Sequence, residues 1–385
     1  MKTRLVFDIH KKKVALFITF LLMLSIFSIN ARATDVDFTI SLADFMCDSE
    51  DDEITMVTYN RETNKEVRVT YNIAELERKN ADKYETVEVG NQKVCYSTIF
   101  DPFTTVPDVN KLRQDVVSEY KQSENASNTS DFAGEVDNKI QNTRDIIVDP
   151  TGRNLTKLFN PQNNSQTRKI AQLYFYSETF GLYNLEHAAT GFLVYDNLIV
   201  TAAHNVYNEM FITSTHNSKI CSKVVASPAR TNGTQPYGNA QGYEIYVCEN
   251  YTYDKINSDY DWAIIKLNSH IGNSTGWFTI RYSETSIAGI GLYFAGYPMY
   301  MYSQQNRNYC MYRGYGKVKS NQNKKWGRVL ASGSMPMSGQ SGGPAYRADG
   351  SSSYAYGVLQ SHTEEGYAFV KFGNSAFQVI LNYME

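Results

Sequence analysis

Short apolar runs separated by turn residues characterise the chain from Asp145 onward. Runs such as "TGFLVY", "LIVTAAH" and "YAFVKF" are rich in β-branched and aromatic residues, and Gly, Asn, Asp or Pro stands between them. Many short strands at this spacing predict an all-β barrel or sandwich. The pattern does not alternate long helices with strands, which disfavours the α/β fold classes.

Two local elements are predicted within this region. The stretch "FLVYDNLIV" is typical of a β-hairpin that turns at Asp196–Asn197. The final stretch, "SAFQVILNYME", predicts one C-terminal helix capped by Ser375.

The N-terminus has the organisation of a secretory signal over residues 1–33. Three lysines from Lys11 to Lys13 precede an apolar run from Val14 to Ser28, and "ARA" supplies a small-residue cleavage site ending at Ala33. A retained membrane anchor is the alternative, but the run is short for a spanning helix, which needs about 20 residues. We therefore expect a secreted protein with no membrane contact after signal cleavage.

Residues 34–144 form a second region. Its first part mixes β-prone runs ("ITMVTYN", "VRVTYNI", "YETVEV") with charged residues. Ser118 to Arg144 is polar and almost free of large apolar side chains, as in a linker. The predicted organisation is thus a signal peptide, an N-terminal region 34–144 with linker 118–144, and a domain at 145–385.

Charge and cysteine content restrict the partners. The chain has 385 residues and a net charge of −3, so a basic nucleic-acid surface is not expected. Of the five cysteines, Cys221 with Cys248 and Cys47 with Cys95 are plausible disulfide pairs, which leaves Cys310 over. No CxxC spacing occurs, so we expect no metal site.

A candidate nucleophile lies in "GQSGGP", at Ser341. A serine hydroxyl needs a base within hydrogen-bond reach, and that base needs an orienting group. His204 is the favoured base, because "NLIVTAAHNVY" carries it from an apolar strand through two alanines into a turn. His187, His216 and His270 have polar or loop-like contexts typical of ordinary structural residues, and His10 leaves with the signal peptide.

The candidate carboxylate is Asp261, which stands at the start of the apolar run in "SDYDWAIIKL". Asp259, two residues earlier, is the alternative. The N–H groups of Gly339 and Ser341 are candidates for an oxyanion hole. The order His204, Asp261, Ser341 is that of chymotrypsin-like proteases and excludes the Ser–acid–His order of α/β-hydrolases.

At these residues the chain resembles a known family. Residues from about Asp145 to Glu385 resemble chymotrypsin-fold serine endopeptidases, in particular the secreted glutamyl endopeptidase group. The matching stretches, in order, are "TAAHNVY", "RTNGTQPYG", "DYDWAIIKL", "IGNSTGWF", "GYP" and "GQSGGP". The resemblance implies two six-stranded antiparallel barrels with the triad between them, and an inactive precursor whose N-terminal segment is removed.

The resemblance also implies polypeptide substrates, no cofactor or metal, and residues 34–144 as the enzyme's own propeptide; we expect a monomer. Activation is predicted to cut near Arg144, with "FNPQNNSQTR" at 159–168 as a second possible site. A catalytically silent binding module and a hydrolase of non-peptide esters are the rival functions.

Two departures from the family pattern are visible. Bacillary relatives carry a disulfide beside the catalytic histidine. Its two cysteine positions correspond to Ala189 and Asn205 in this chain, so both cysteines are missing. The specificity pocket also differs, because Leu359 stands where glutamyl endopeptidases carry a histidine, and His362 would serve only if the strand shifts or bulges. Pro336 replaces an expected polar residue, and the stretch from Met335 to Ser338 should wall the pocket. Glutamate and apolar preferences therefore both remain open.

Overall fold

The computed structural model describes residues 52–89, 92–103, 114–118, 121, 153–252, 257–284, 286–299, 310–319, 326–349 and 352–385. The predicted signal peptide 1–33, most of the linker 118–144, Cys47 and Arg144 lie outside the described residues. Within the described ranges, no helix has both the length and the hydropathy that crossing a membrane requires.

Within residues 34–144, the described residues 53–97 form two antiparallel hairpins with one helix between them. Their elements are β1 (Glu53–Asn60), β2 (Lys65–Asn72), α1 (Ile73–Lys79), β3 (Tyr84–Val89) and β4 (Gln92–Ser97). The β-prone runs of the sequence account for the strands. Asn72 accepts a hydrogen bond from Glu75 N and so caps α1.

The first barrel follows a short strand, β5 (Thr156–Leu158). Six antiparallel strands close it, in the spatial order β6, β7, β8, β11, β10, β9. These strands are β6 (Ile170–Thr179), β7 (Leu182–Leu193), β8 (Leu198–Thr201), β9 (Lys223–Pro228), β10 (Ala240–Cys248) and β11 (Ala263–Leu267). Leu173, Phe175 and Ile265 are among the side chains that fill its core.

The second barrel follows β12 (Thr279–Ser283), and six antiparallel strands close it in the order β13, β14, β15, β18, β17, β16. They are β13 (Gly291–Gly296), β14 (Met311–Val318), β15 (Gly327–Gly333), β16 (Pro344–Asp349), β17 (Ser352–Thr363) and β18 (Gly366–Lys371). The expectation of an all-β chain with two six-stranded barrels is confirmed.

Strands of the N-terminal region extend both sheets. β1 pairs with β10 of the first barrel, at Met56 with Cys248 and Val57 with Val247. β4 pairs with β12, which in turn runs parallel to β17 of the second barrel. A core cluster shared by Ile54, Phe192 and Phe377 joins this region to the barrels and to the C-terminal helix.

In the described residues from 153 onward, helices are few and short. They are α2 (Ala203–Val206), α3 (Gly272–Thr275) and the C-terminal α4 (Asn374–Asn382), with 3₁₀ turns at Pro161–Asn163, Thr167–Lys169, Glu209–Phe211, Glu249–Tyr251 and Ser258–Tyr260. The predicted C-terminal helix is confirmed, but its cap is not Ser375. Gly373 precedes the helix, while Ser375 is buried inside its first turn.

The local hairpin is confirmed and one disulfide prediction is wrong. Val194 N donates to Leu198 O at 2.9 Å across the turn that contains Asp196 and Asn197. Cys221 and Cys248 are free thiols, because Cys221 faces the core of the first barrel and Cys248 belongs to a different core cluster. Cys310, the predicted odd cysteine, is also a free thiol.

Candidate active site

The pairing of β8 with β11 brings His204 and Asp261 together. Thr201, at the end of β8, lies opposite Ala263, at the start of β11. His204 follows Thr201 on α2, and Asp261 lies two residues before the first residue of β11. His204 Nδ1 lies 2.8 Å from Asp261 Oδ2, and the backbone N–H of His204 donates to Asp261 Oδ1 at 2.9 Å.

Burial and charge set the protonation of this pair. The side chain of Asp261 is 3% exposed and that of His204 is 35% exposed. Burial alone would raise the pKa of Asp261, but the charge and hydrogen bonds of His204 lower it below its ordinary value. Burial opposes the charge of His204 as well, yet the attraction of Asp261 raises the pKa of the imidazole. The carboxylate therefore holds Nδ1 and leaves Nε2 available as a base.

Asp259, the alternative carboxylate, has a structural role instead of contacting His204. It lies in the 3₁₀ turn Ser258–Tyr260, and its Oδ1 accepts a hydrogen bond from Arg328 N at 2.6 Å. This contact joins the turn to the start of β15. Of the two aspartates, Asp261 is the one that contacts His204.

Ser341 lies in the turn between β15 and β16. Its hydroxyl donates to Gln360 O at 2.9 Å. Its carbonyl oxygen accepts from two groups of the first barrel, Thr190 N at 3.1 Å and Asn205 Nδ2 at 3.1 Å. The candidate nucleophile thus belongs to the second barrel, while its own carbonyl is held by the first.

The glycines around Ser341 are required by the backbone. Gly339 has φ +93° and Gly342 has φ +87°, in the left-handed region that favours glycine. A Cβ at Gly342 would lie 2.1 Å from Thr190 O, and one at Gly339 would lie 2.6 Å from Tyr297 O. The turn is consequently packed against its neighbours, and these glycines are not flexible spacers.

Several residues of this region were not singled out from the sequence. Thr190 Oγ1 donates to Gly339 O at 2.8 Å and accepts from Tyr297 N at 3.0 Å. The side chain of Gln360 accepts a hydrogen bond from Arg328 Nε at 2.8 Å and donates to Ser258 O at 3.1 Å. "AATGF" indicates only a strand at Thr190, and "VLQSH" indicates only a strand at Gln360, so the local pattern carries no signal for these contacts.

Asn205 now has a structural role. In sequence, its position corresponds to one half of a disulfide that relatives carry. In the fold it is buried, and its amide donates to Thr201 Oγ1 and Ser341 O, both at 3.1 Å. Ala189, at the other half, is buried in the first barrel. Asn205 therefore connects the His204 turn to the Ser341 turn by hydrogen bonds.

The predicted specificity residues differ in exposure. Pro336 and Leu359 are buried, whereas Ser338 and His362 are exposed. Leu359 is part of the core cluster of the second barrel. The pairing of β17 with β18 shifts register between Leu359 and Ser361, which is the type of irregularity that a role for His362 would need.

A positive charge lies beside the predicted pocket wall. Arg153 Nη1 donates to Pro336 O at 2.7 Å, and Arg153 O accepts from Met335 N at 3.0 Å. Asn154 O accepts from Ser334 Oγ at 2.8 Å, so residues 153–154 run along the same wall. Among the described residues, no group of three or more His, Cys, Asp or Glu side chains is arranged to hold a metal ion.

Comparison with known proteins decides the family. The Trypsin family model matches residues 160–370, which include both barrels and all three candidate catalytic residues. The chain belongs to the trypsin family. It is a chymotrypsin-fold serine protease by descent, as its resemblance to glutamyl endopeptidases implied.

Two curated relatives are similar over shorter stretches. An "Extracellular metalloprotease" of Bacillus subtilis (strain 168) is 34% identical over 29% of this chain and 34% of its own length. A "Glutamyl endopeptidase" of Bacillus licheniformis is 26% identical over 29% of this chain and 33% of its own length. The matches of this trypsin-family chain thus span about a third of each relative.

Solved structures with a similar fold include a Glu endopeptidase in complex with MPD, with a TM-score of 0.47 and 24% identity, over 62% of this chain and 99% of that chain. The protease Anisep from Arthrobacter nicotinovorans matches with a TM-score of 0.42 and 16% identity, over 59% of this chain and 99% of its own.

Proposed function

We propose that the chain is a secreted serine endopeptidase, made as a precursor, that hydrolyses peptide bonds through an acyl-enzyme. The observation that carries the proposal is the bidentate contact of Asp261 with His204, through Nδ1 and the backbone N–H. A buried aspartate in this contact fixes the ring orientation and tautomer that a general base requires. Membership of the trypsin family supplies the reaction class.

In the first step Ser341 Oγ attacks the carbonyl carbon of the scissile peptide bond. Its hydrogen bond turns from Gln360 O to His204 Nε2, which takes the hydroxyl proton as the O–C bond forms. The carbonyl electron pair moves to oxygen, and the N–H groups of Gly339 and Ser341 stabilise the oxyanion. Asp261 stabilises the imidazolium without taking up the proton.

Collapse of the tetrahedral intermediate breaks the C–N bond, and His204 returns the proton to the leaving amine. A water molecule then attacks the acyl-enzyme carbonyl while His204 takes its proton; the ester bond to Ser341 Oγ breaks, His204 returns the proton to Oγ, and the carboxylic acid product is released. The hydrogen bonds of Thr190 and Asn205 to the Ser341 turn fix its position for both attacks.

For specificity we propose a preference for glutamate before the cleaved bond. A buried carboxylate needs a cationic or hydrogen-bonding partner. Arg153 places a guanidinium at Pro336 O, on the predicted pocket wall, and His362 lies beyond the register shift of β17. An apolar preference is the alternative, favoured by the buried Leu359 and Met337.

The test is hydrolysis of a peptide library with Glu, Leu or Phe before the cleaved bond, using secreted protein whose N-terminal region has been cut from the domain. Ser341→Ala, His204→Ala and Asp261→Asn are the variants. Cleavage by the wild type alone is expected. Equal turnover by Ser341→Ala would end the nucleophile assignment, and equal or better turnover of Leu or Phe would end the glutamate preference. A chain that cleaves none of the peptides would favour the binding-module function instead.

A further inference from the structure

We propose that the N-terminal segment, residues 52–103, stays bound to the protease domain after the activating cut, as a non-covalent light chain. The inference rests on the proposed precursor and refines it, since the family resemblance implies that this segment is removed. The binding surface is formed by the edge of β10, the edge of β12 and the helix α4.

Backbone pairing is the first support. β1 adds to the first sheet through β10, and β4 adds to the second through β12, with Val94, Cys95 and Tyr96 opposite Ser283, Tyr282 and Arg281. One segment therefore supplies a strand to each of the two sheets. Its removal would leave unpaired backbone groups on both.

The segment also contributes to the core. Ile54, Met56, Ile73 and Leu76 are buried in one cluster with the apolar face of α4. Val87, Val94 and Tyr96 are buried with the core of the second barrel. Because these side chains fill continuous cores, release of the segment would expose a large apolar surface on the protease domain.

A buried ion pair crosses the same boundary. Lys169 directly precedes β6, and its Nζ lies 2.5 Å from Asp101 Oδ2; the two side chains are almost fully buried, at 1% and 2% exposed. Lys169 also lies 3.4 Å from Ser353 Oγ. Without Asp101 the protease domain would keep a buried lysine with no anion, which is strongly unfavourable.

Further polar contacts lie along α4 and the neighbouring loop. Asn80 is buried and donates to Gln378 O at 2.9 Å. Lys83 Nζ donates to Leu381 O at 3.1 Å, at the C-terminal end of α4. Trp277 Nε1 donates to Ile99 O at 3.0 Å. These three hydrogen bonds thus pair polar groups of the segment with polar groups of the protease domain.

The test uses the Ser341→Ala chain with the cleavage sequence of a site-specific protease placed in the linker 118–144, so that the cut does not depend on the chain's own activity. After cutting, size-exclusion chromatography and native mass spectrometry should find both fragments together, with a mass equal to their sum. Separate elution of the fragments at micromolar concentration and neutral pH would overturn the proposal.

Asp101→Asn is expected to raise the dissociation rate of the segment at least tenfold. Asp82→Asn is the matched control, since Asp82 is an exposed aspartate of the same segment, and its rate should equal that of the parent. An unchanged rate for Asp101→Asn would remove the ion pair from the account. If this variant does not accumulate, the parent chain alone decides the retention question.

The two proposals fail separately. Fragments that stay together in a chain without peptidase activity would overturn the function and leave the light chain standing. An active wild-type enzyme from which the segment dissociates would overturn the light-chain proposal and leave the proposed function supported.

Discussion

Replacement of Asn205 by alanine tests whether hydrogen bonds take the place of the missing disulfide. The substitution removes two donated bonds of 3.1 Å, to Thr201 Oγ1 and to Ser341 O. Both partners keep one hydrogen bond, because Thr190 N still donates to Ser341 O and the Thr201 hydroxyl still donates to Thr190 O. At about 1 kcal/mol for each bond, stability should fall by about 2 kcal/mol.

The effect on catalysis should be separable from that on stability. The substitution removes one of the two hydrogen bonds that hold Ser341 O to the first barrel, so the serine is positioned less firmly. We expect kcat/KM to fall about tenfold, which corresponds to a rise of about 1.4 kcal/mol in the activation free energy. Asn208→Ala is the matched control, because Asn208 caps the next 3₁₀ turn through Met210 N and its loss also costs about 1 kcal/mol.

Urea unfolding and peptide hydrolysis are measured on both variants. The reasoning predicts that both variants lose stability, about 2 kcal/mol for Asn205→Ala and about 1 kcal/mol for Asn208→Ala, but that only Asn205→Ala loses rate. Asn205→Asp should be the poorer enzyme of the two Asn205 variants, because it sets a carboxylate against Ser341 O. If Asn205→Ala keeps the kcat/KM of Asn208→Ala, the bond between the two turns has no role in positioning the serine.

Three further predictions follow from the site. Because Asp261 raises the pKa of His204 above its ordinary 6.5, the acid limb of kcat/KM against pH should have its midpoint above that value, and Asp261→Asn should lower the midpoint and reduce the rate by on the order of 10³–10⁴. Gly342→Ala should lower the free energy of unfolding in urea by several times the ~1 kcal/mol expected for Gly181→Ala. Both glycines have positive φ, but of the two only Gly342 would place a Cβ against backbone atoms. Equal losses in the two variants would contradict the close packing of the Ser341 turn. Arg153→Ala should lower kcat/KM for Glu peptides while that for Leu peptides stays unchanged, and a parallel loss for both would show that the arginine serves the fold.

The barrels and the catalytic pair were accessible from sequence because their signals are local or ordered along the chain. The hairpin at Asp196–Asn197 depends on adjacent residues, and the order of His204, Asp261 and Ser341 is specific to one fold. The choice of Asp261 over Asp259 rests on a strand boundary, which the apolar run starting at Trp262 marks clearly.

The features that the sequence did not predict depend on contacts between residues far apart in the chain. The run "ITMVTYN" indicates a strand, but nothing near it indicates that Met56 pairs with Cys248 of another region. The spacing of Cys221 and Cys248 gives no information on which core each side chain enters. Serine is a residue type that favours the N-cap position, but Ser375 is buried against the core within the first turn of the helix.

The most direct test of the account is covalent labelling of the active serine. The secreted chain, cut in its linker, is treated with a fluorophosphonate probe, digested and analysed by mass spectrometry. The account predicts one adduct, on Ser341, that is abolished in Ser341→Ala and greatly slowed in His204→Ala. An unlabelled wild type, or an adduct on a different serine, would contradict it.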